Sequence, residues 1–118
     1  KFHLDRFKYA TRFNEINKDF HFYEAQNILK KWTLLFQNKT KGNSWLVGEN
    51  ESIADWCIWP FVRQFKIACK SQNICNNFDN SMISWLNYFE TNNIYKDVMN
   101  KYEIWNQSSK VSYFPLNI

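Results

Sequence analysis

Asp5, Tyr9 and Arg12 recur at spacings of four and three, so a helix over this stretch puts a carboxylate, a phenol and a guanidinium on one face. Such a face suits a polar ligand. It equally suits an intrahelical ion pair beside a core tyrosine, and both readings stay open. A second constellation, Ser52-Ile53-Ala54-Asp55, has the form S-x-x-D, a capping box with Asp in place of Glu or Gln. The Ser52 hydroxyl accepts from the Asp55 amide, and the Asp55 carboxylate accepts from the Ser52 amide. Two donors at the start of a helix are thereby satisfied. That spacing assigns Asp55 to structure ahead of catalysis. Arg63 and Gln64 read as partners of a carboxylate or helix-end residues ahead of ligand contacts. Cys57, Cys69 and Cys75 form no CxxC, and His3 and His21 lie far from them in sequence, so no metal site is expected. With no His or basic cluster beside them, the cysteines read as bystanders. His3 and His21 fall at helix ends and are expected to be solvated.

The elements that position these groups follow from composition and periodicity. The 118 residues suit one domain, and 45% apolar and 19% aromatic residues supply a core that a disordered chain would lack. Two glycines and two prolines are too few for a turn-rich sandwich or barrel. The net charge of +4 is spread over scattered lysines, without the clustered, Arg-bearing stripe of a nucleic-acid surface. The longest apolar run, Trp56 to Val62, falls far short of the ~20 residues of a membrane span. Odd, unpaired cysteines suit a reduced, cytoplasmic compartment. Because Lys1 is not Met, a preceding portion is expected.

Leu4 to Ile16 reads as a helix with Phe2, Tyr9, Phe13 and Ile16 on one side and Leu4 and Phe7 opposite, packed between two neighbours. Phe20 to Gln37 is amphipathic, with Phe22, Ala25, Ile28, Leu29, Trp32, Leu35 and Phe36 inward and Asp19 as its N-cap. Residues 38–51 form a loop anchored by Trp45-Leu46-Val47. Ser52 to Ala68 follows its cap with an apolar surface on every side, as the central helix of a bundle would, and Pro60 is expected to kink it. Cys69 to Asn80 reads as a loop. Met82 to Thr91 is a short helix with Met82, Ile83, Leu86 and Phe89 inward, and Ile94 to Tyr102 another carrying Ile94, Val98, Met99 and Tyr102. From Glu103 the tail is expected to lie along the domain through Trp105, Tyr113, Phe114 and Pro115. The fold class is therefore all-α: one helical domain over residues 1–118, built around a buried, N-capped central helix.

The segment Trp45-Leu-Val-Gly48, then Glu49-Asn50-Glu51 and Ser52-Ile-Ala-Asp55, resembles the loop-to-helix signature of the C-terminal, all-helical domain of the glutathione transferase superfamily. Leu4 to Phe13, Ile58 to Phe65, Ser84-Trp-Leu86, Val98 to Tyr102 with Trp105, and Phe114-Pro115 are similar to a bacterial branch, so the likeness runs from Leu4 to Pro115. The pattern is broken at Glu51, where an apolar staple residue would stand. The resemblance implies a thioredoxin-like domain preceding this chain, which would bind glutathione as co-substrate and supply the catalytic residue. No catalytic residue is expected here, and no cofactor held by this domain alone. Tyr9, Arg12 and Phe13 correspond to the wall for a small hydrophobic electrophile, and Ser52 with Asp55 to the structural cap. A homodimer is implied, with neither nucleic acid nor membrane as partner. A non-enzymatic helical interaction module is the alternative, since domains of this kind also serve as docking units.

Overall fold

A computed structural model describes residues 1–13, 17–37, 45–74, 78–101 and 103–111 of the chain. Its order is α1 (Phe2–Lys8), a single 3-10 turn (Ala10–Arg12), α2 (Lys18–Gln37), α3 (Ile53–Ser71), α4 (Asn80–Thr91) and α5 (Asn93–Val98). Among the described residues there is no strand, and the fold is all-α. The two long helices fall where the three-four rhythm predicts them.

The first helix is shorter than its periodicity suggests. Tyr9 leaves helical geometry at φ −118°, ψ 39°, and the 3-10 turn follows. The break brings two cations onto one ring: Lys8 Nζ lies 4.8 Å and the Arg12 guanidinium 4.4 Å from the Tyr9 centroid. A straight helix would not present residues at i−1 and i+3 to the same side chain. Only Leu4 and Phe7 of α1 are buried, and this single apolar side meets both neighbours, α2 and α3. Ile16 lies outside the described residues.

The start of α2 is capped by Asn17, whose Oδ1 accepts from the Phe20 amide at 3.1 Å, while the expected cap Asp19 sits in the first turn. Phe22, Ala25, Leu29 and Phe36 are buried, Trp32 is half-buried and Ile28 stays exposed. Three rings lock α1, α2 and α3 together. Phe7 lies 5.4 Å from Phe22 and 5.6 Å from Phe65, and Phe22 stacks on Phe65 at 5.8 Å. Offset ring contacts of this kind add to the area they bury.

Helix α3 runs three residues beyond its expected end, through Pro60 and into the predicted loop. Its C-terminus explains why. Ile74 N–H donates to the Cys69 carbonyl at 2.9 Å and Asn73 N–H to that of Lys70 at 3.2 Å, the paired bonds of a Schellman motif. Asn73 takes the left-handed conformation the motif needs, at φ 54°, and Ile74 packs against the core. Cys69 is thus a core residue and not the first of a loop. The buried face carries Asp55, Trp59, Val62, Phe65, Ala68 and Cys69. The opposite face, with Ile53, Cys57, Phe61 and Ile67, is exposed. An apolar run cannot tell how many neighbours will cover it, and here one face is covered.

In α4 the inward residues are Met82, Trp85, Leu86 and Phe89; Ile83 is exposed and Trp85 takes the place given to it. Trp59 stacks flat on Phe89 at 5.6 Å, joining α3 to α4. Asp79 caps α4 through the Met82 amide (3.0 Å), and Asn92 caps α5 through that of Ile94 (2.9 Å). Helix α5 stops at Val98, and its expected core side is turned out: Ile94, Val98 and Met99 are exposed, while Tyr95 packs edge-on against Trp59 at 5.3 Å. Trp105 is 77% exposed, so the described part of the tail does not bury its indole. Tyr102, Tyr113, Phe114 and Pro115 lie outside the described residues.

The two faces of α3 predict opposite responses to truncation. Phe65→Ala is expected to cost about 3–5 kcal/mol, the usual result of emptying a ring site in a core. Ile53→Ala, at 81% exposure, is expected to change stability by less than about 0.5 kcal/mol. Urea unfolding of both variants checks the assignment.

Candidate functional site

Asp55 is fully buried and fully engaged. Its Oδ1 accepts from the Leu46 amide and from Trp85 Nε1, each at 2.9 Å. Its Oδ2 accepts from the Ser52 amide at 3.0 Å and from the Ser52 hydroxyl at 2.5 Å. The capping box closes as expected. The donors from Leu46 and Trp85 went unforeseen, although a carboxylate has about four acceptor positions and the box fills only part of them. Burial by itself pushes the Asp55 carboxyl up, but the bonds from Leu46, Ser52 and Trp85 outweigh it and leave the group below its ordinary value. A carboxylate saturated in this way is a poor base or nucleophile, because no lone pair faces a ligand. Glu51, where a staple residue would stand, hydrogen-bonds the Tyr88 phenol of α4 and raises it.

The residues expected to face a ligand sit at the end of α1. Arg12 lies over Tyr9, as above, while Phe13 lies under a different cation: the Arg6 guanidinium is 3.6 Å from the Phe2 centroid and 4.8 Å from that of Phe13. Tyr9 and Arg12 are therefore brought together, whereas Phe13 is grouped with Arg6 and Phe2 instead. Asp5 is turned to Lys1 at 2.5 Å and does not complete the three-residue face. The hydrogen bond from Lys8, then the charges of Lys8 and Arg12, pull the Tyr9 phenol below its ordinary value against burial and Asp5. This surface offers cations layered on aromatic rings, chemistry that suits a group carrying negative or partial negative charge beside the rings.

Arg63 pairs with Glu90 at 3.8 Å and leans on the Tyr95 ring at 5.4 Å, while Lys66 reaches the same carboxylate at 3.3 Å. Gln64 accepts from Lys8. Both residues thus serve contacts between helices. Cys57 is exposed, Cys69 is buried, and Cys75 lies outside the described residues. The histidines do lie in the first turns of α1 and α2, but they are only partly exposed. His3 Nδ1 and His21 Nδ1 face each other at 2.8 Å, half-buried among Phe2 and Phe20. A pair drawn from residues 3 and 21 has no sequence signature, because the packing of α1 on α2 creates it. Among the described residues no three His, Cys, Asp or Glu side chains are grouped to hold a metal ion, and no helix is long and apolar enough to cross a membrane. A narrow apolar groove of about 60 Å³ runs between α1, α2 and α3, lined by Leu4, Leu29, Trp32 and Phe61 with His3 at its rim.

No protein-family model, no curated protein and no solved structure matches this chain.

The Asp55 node makes two predictions. Asp55→Ala is expected to cost about 3–4 kcal/mol, more than a cap alone, since it strands a buried indole N–H and two amides. Asp55→Asn, which keeps Oδ1 for Leu46 and Trp85 but turns an NH2 toward the Ser52 amide, is expected to cost about 1–2 kcal/mol. Both are read by urea unfolding at neutral pH. The folded carboxyl titrates below its unfolded value near 3.8, so its contribution is complete above that pH and lost as pH falls through the folded value. The stability gap between the natural chain and Asp55→Asn is therefore expected to close in acid below about pH 3.8, as followed by urea titrations at stepped pH.

Proposed function

We propose that this chain is the substrate-side, electrophile-binding domain of a glutathione S-transferase-like protein and is not catalytic by itself. The observation that carries the reading is the Asp55 node: a loop anchored by Trp45 runs into a buried, N-capped helix, and one carboxylate ties both to α4. The resemblance at Trp45–Asp55 leads one to expect the loop and the capped, buried helix, and the bonds from Leu46 and Trp85 add to that expectation. The surface around Tyr9 and Arg12, with Phe13 beside it under Arg6, supplies the wall for a small hydrophobic electrophile. An electron-poor ring placed beside Tyr9 is flanked by the Arg12 cation, which favours negative charge developing on the electrophile as a thiolate attacks.

Glutathione itself belongs to a thioredoxin-like domain in this reading. A tripeptide is fixed by backbone groups along an exposed strand edge, and its thiolate needs a donor or positive field beside the sulfur. The second covering for the exposed α3 face of Ile53, Cys57 and Phe61 comes from that domain or from a second subunit.

Steady-state conjugation of glutathione to 1-chloro-2,4-dinitrobenzene by the intact protein tests this. Tyr9→Ala and Arg12→Ala are expected to raise KM for the electrophile roughly three- to tenfold and leave KM for glutathione unchanged. The 118-residue chain alone is expected to show no glutathione binding tighter than millimolar by isothermal titration. Micromolar binding by the chain alone would place the thiol site in the wrong half. An intact protein without affinity for glutathione would make the chain an interaction module instead.

A further inference from the structure

The His3–His21 contact joins α1 to α2 through two groups whose charge changes near neutrality. We propose that this pair is a proton-operated clasp, which holds the N-terminal end of α1 on α2 while it carries no more than one added proton and releases it on taking the second. The geometry dictates the stoichiometry. With Nδ1 facing Nδ1 at 2.8 Å, one ring donates and the other accepts. A first added proton goes to the donating ring and strengthens the bond, because the donor becomes an imidazolium. A second proton puts N–H on both facing atoms. The bond is then lost and two cations are left in contact.

The surroundings favour release at that point. Phe2 lies 5.0 Å from His3 and Phe20 5.2 Å from His21, both edge-on, so each imidazole gives up part of its contact with water to a neighbouring ring. Burial, then the charges of His3 and Arg6, hold His21 below its ordinary value, against a smaller pull from Glu24. The described charged neighbours are thus Arg6 and Lys1 on α1 and Glu24 on α2, while α3 contributes Phe61, Val62 and Phe65 to the groove at this end. Since His3 and Leu4 form one wall of that groove, lifting the start of α1 widens it toward solvent. Acid would then open an apolar cleft that is too narrow for a ring at neutral pH.

Imidazole NMR titration and amide hydrogen exchange of the chain test the clasp. His21 is expected to take up its proton below the ordinary value near 6.5. In His3→Phe, which keeps the aromatic packing but removes the partner's charge, His21 is expected to titrate closer to that ordinary value. Protection of the α1 amides, corrected for intrinsic exchange, is expected to fall roughly tenfold as the second proton is taken up. In the double variant, His3→Phe with His21→Phe, it is expected to stay level with pH. A His21 that titrates alike with and without His3, or α1 protection that ignores the second proton, would overturn the proposal.

Discussion

An ionised carboxylate taken out of water must be given donors in water's place, and the Asp55 side chain is given four from three separate stretches of the chain. Each of those stretches is positioned by the exchange. Leu46 is held so that Trp45, one residue before it, enters the core. Ser52 is fixed in extended geometry at φ −132°, ψ 167°, the conformation from which α3 starts. Trp85 is rotated inward, and α4 comes with it. Removing any donor leaves the charge undersupplied, so the group is costly to disturb from any side.

The aromatic packing depends on that orientation. With Trp85 turned toward Asp55, Phe89 one turn later meets Trp59 face to face and Trp56 edge-on at 4.9 Å. Phe36 of α2 closes on Trp85 at 5.6 Å, so the far end of the long helix is tied to the same node. At the other end of α3 the cluster of Phe7, Phe22 and Phe65 is built without it. The domain thus has one polar-centred and one purely apolar lock, and the candidate ligand surface at the end of α1 rests on the apolar one.

Helix type and the capping box were legible because both are local: a three-four rhythm and a three-residue spacing need no knowledge of the rest of the chain. Helix ends were legible only where a cap has a side-chain signature. Asn73 in left-handed geometry extended α3 past Ala68 and drew Cys69 into the core, a feature that in sequence looks like any polar loop residue. Periodicity also ranks apolar residues on the two flanks of a stripe only loosely. Trp85 and Ile83 compete for the inside of α4, and the indole N–H decides, since it alone can reach a buried acceptor. On the candidate surface, Tyr9 and Arg12 were recognisable as neighbours at i and i+3. The involvement of Arg6 with Phe13 follows the break at Tyr9, and the meeting of His3 with His21 follows the packing of α1 on α2, neither of which a spacing rule encodes.

Helix α3 carries two thiols with opposite surroundings, Cys57 open on its outer face and Cys69 sealed beneath it. One helix therefore bears both an address and a gauge. An alkylating reagent finds Cys57 on the native surface and marks the face that a neighbour would cover. It finds Cys69 only while α3 stands away from its neighbours, so the rate of that second modification counts how often this interior comes apart.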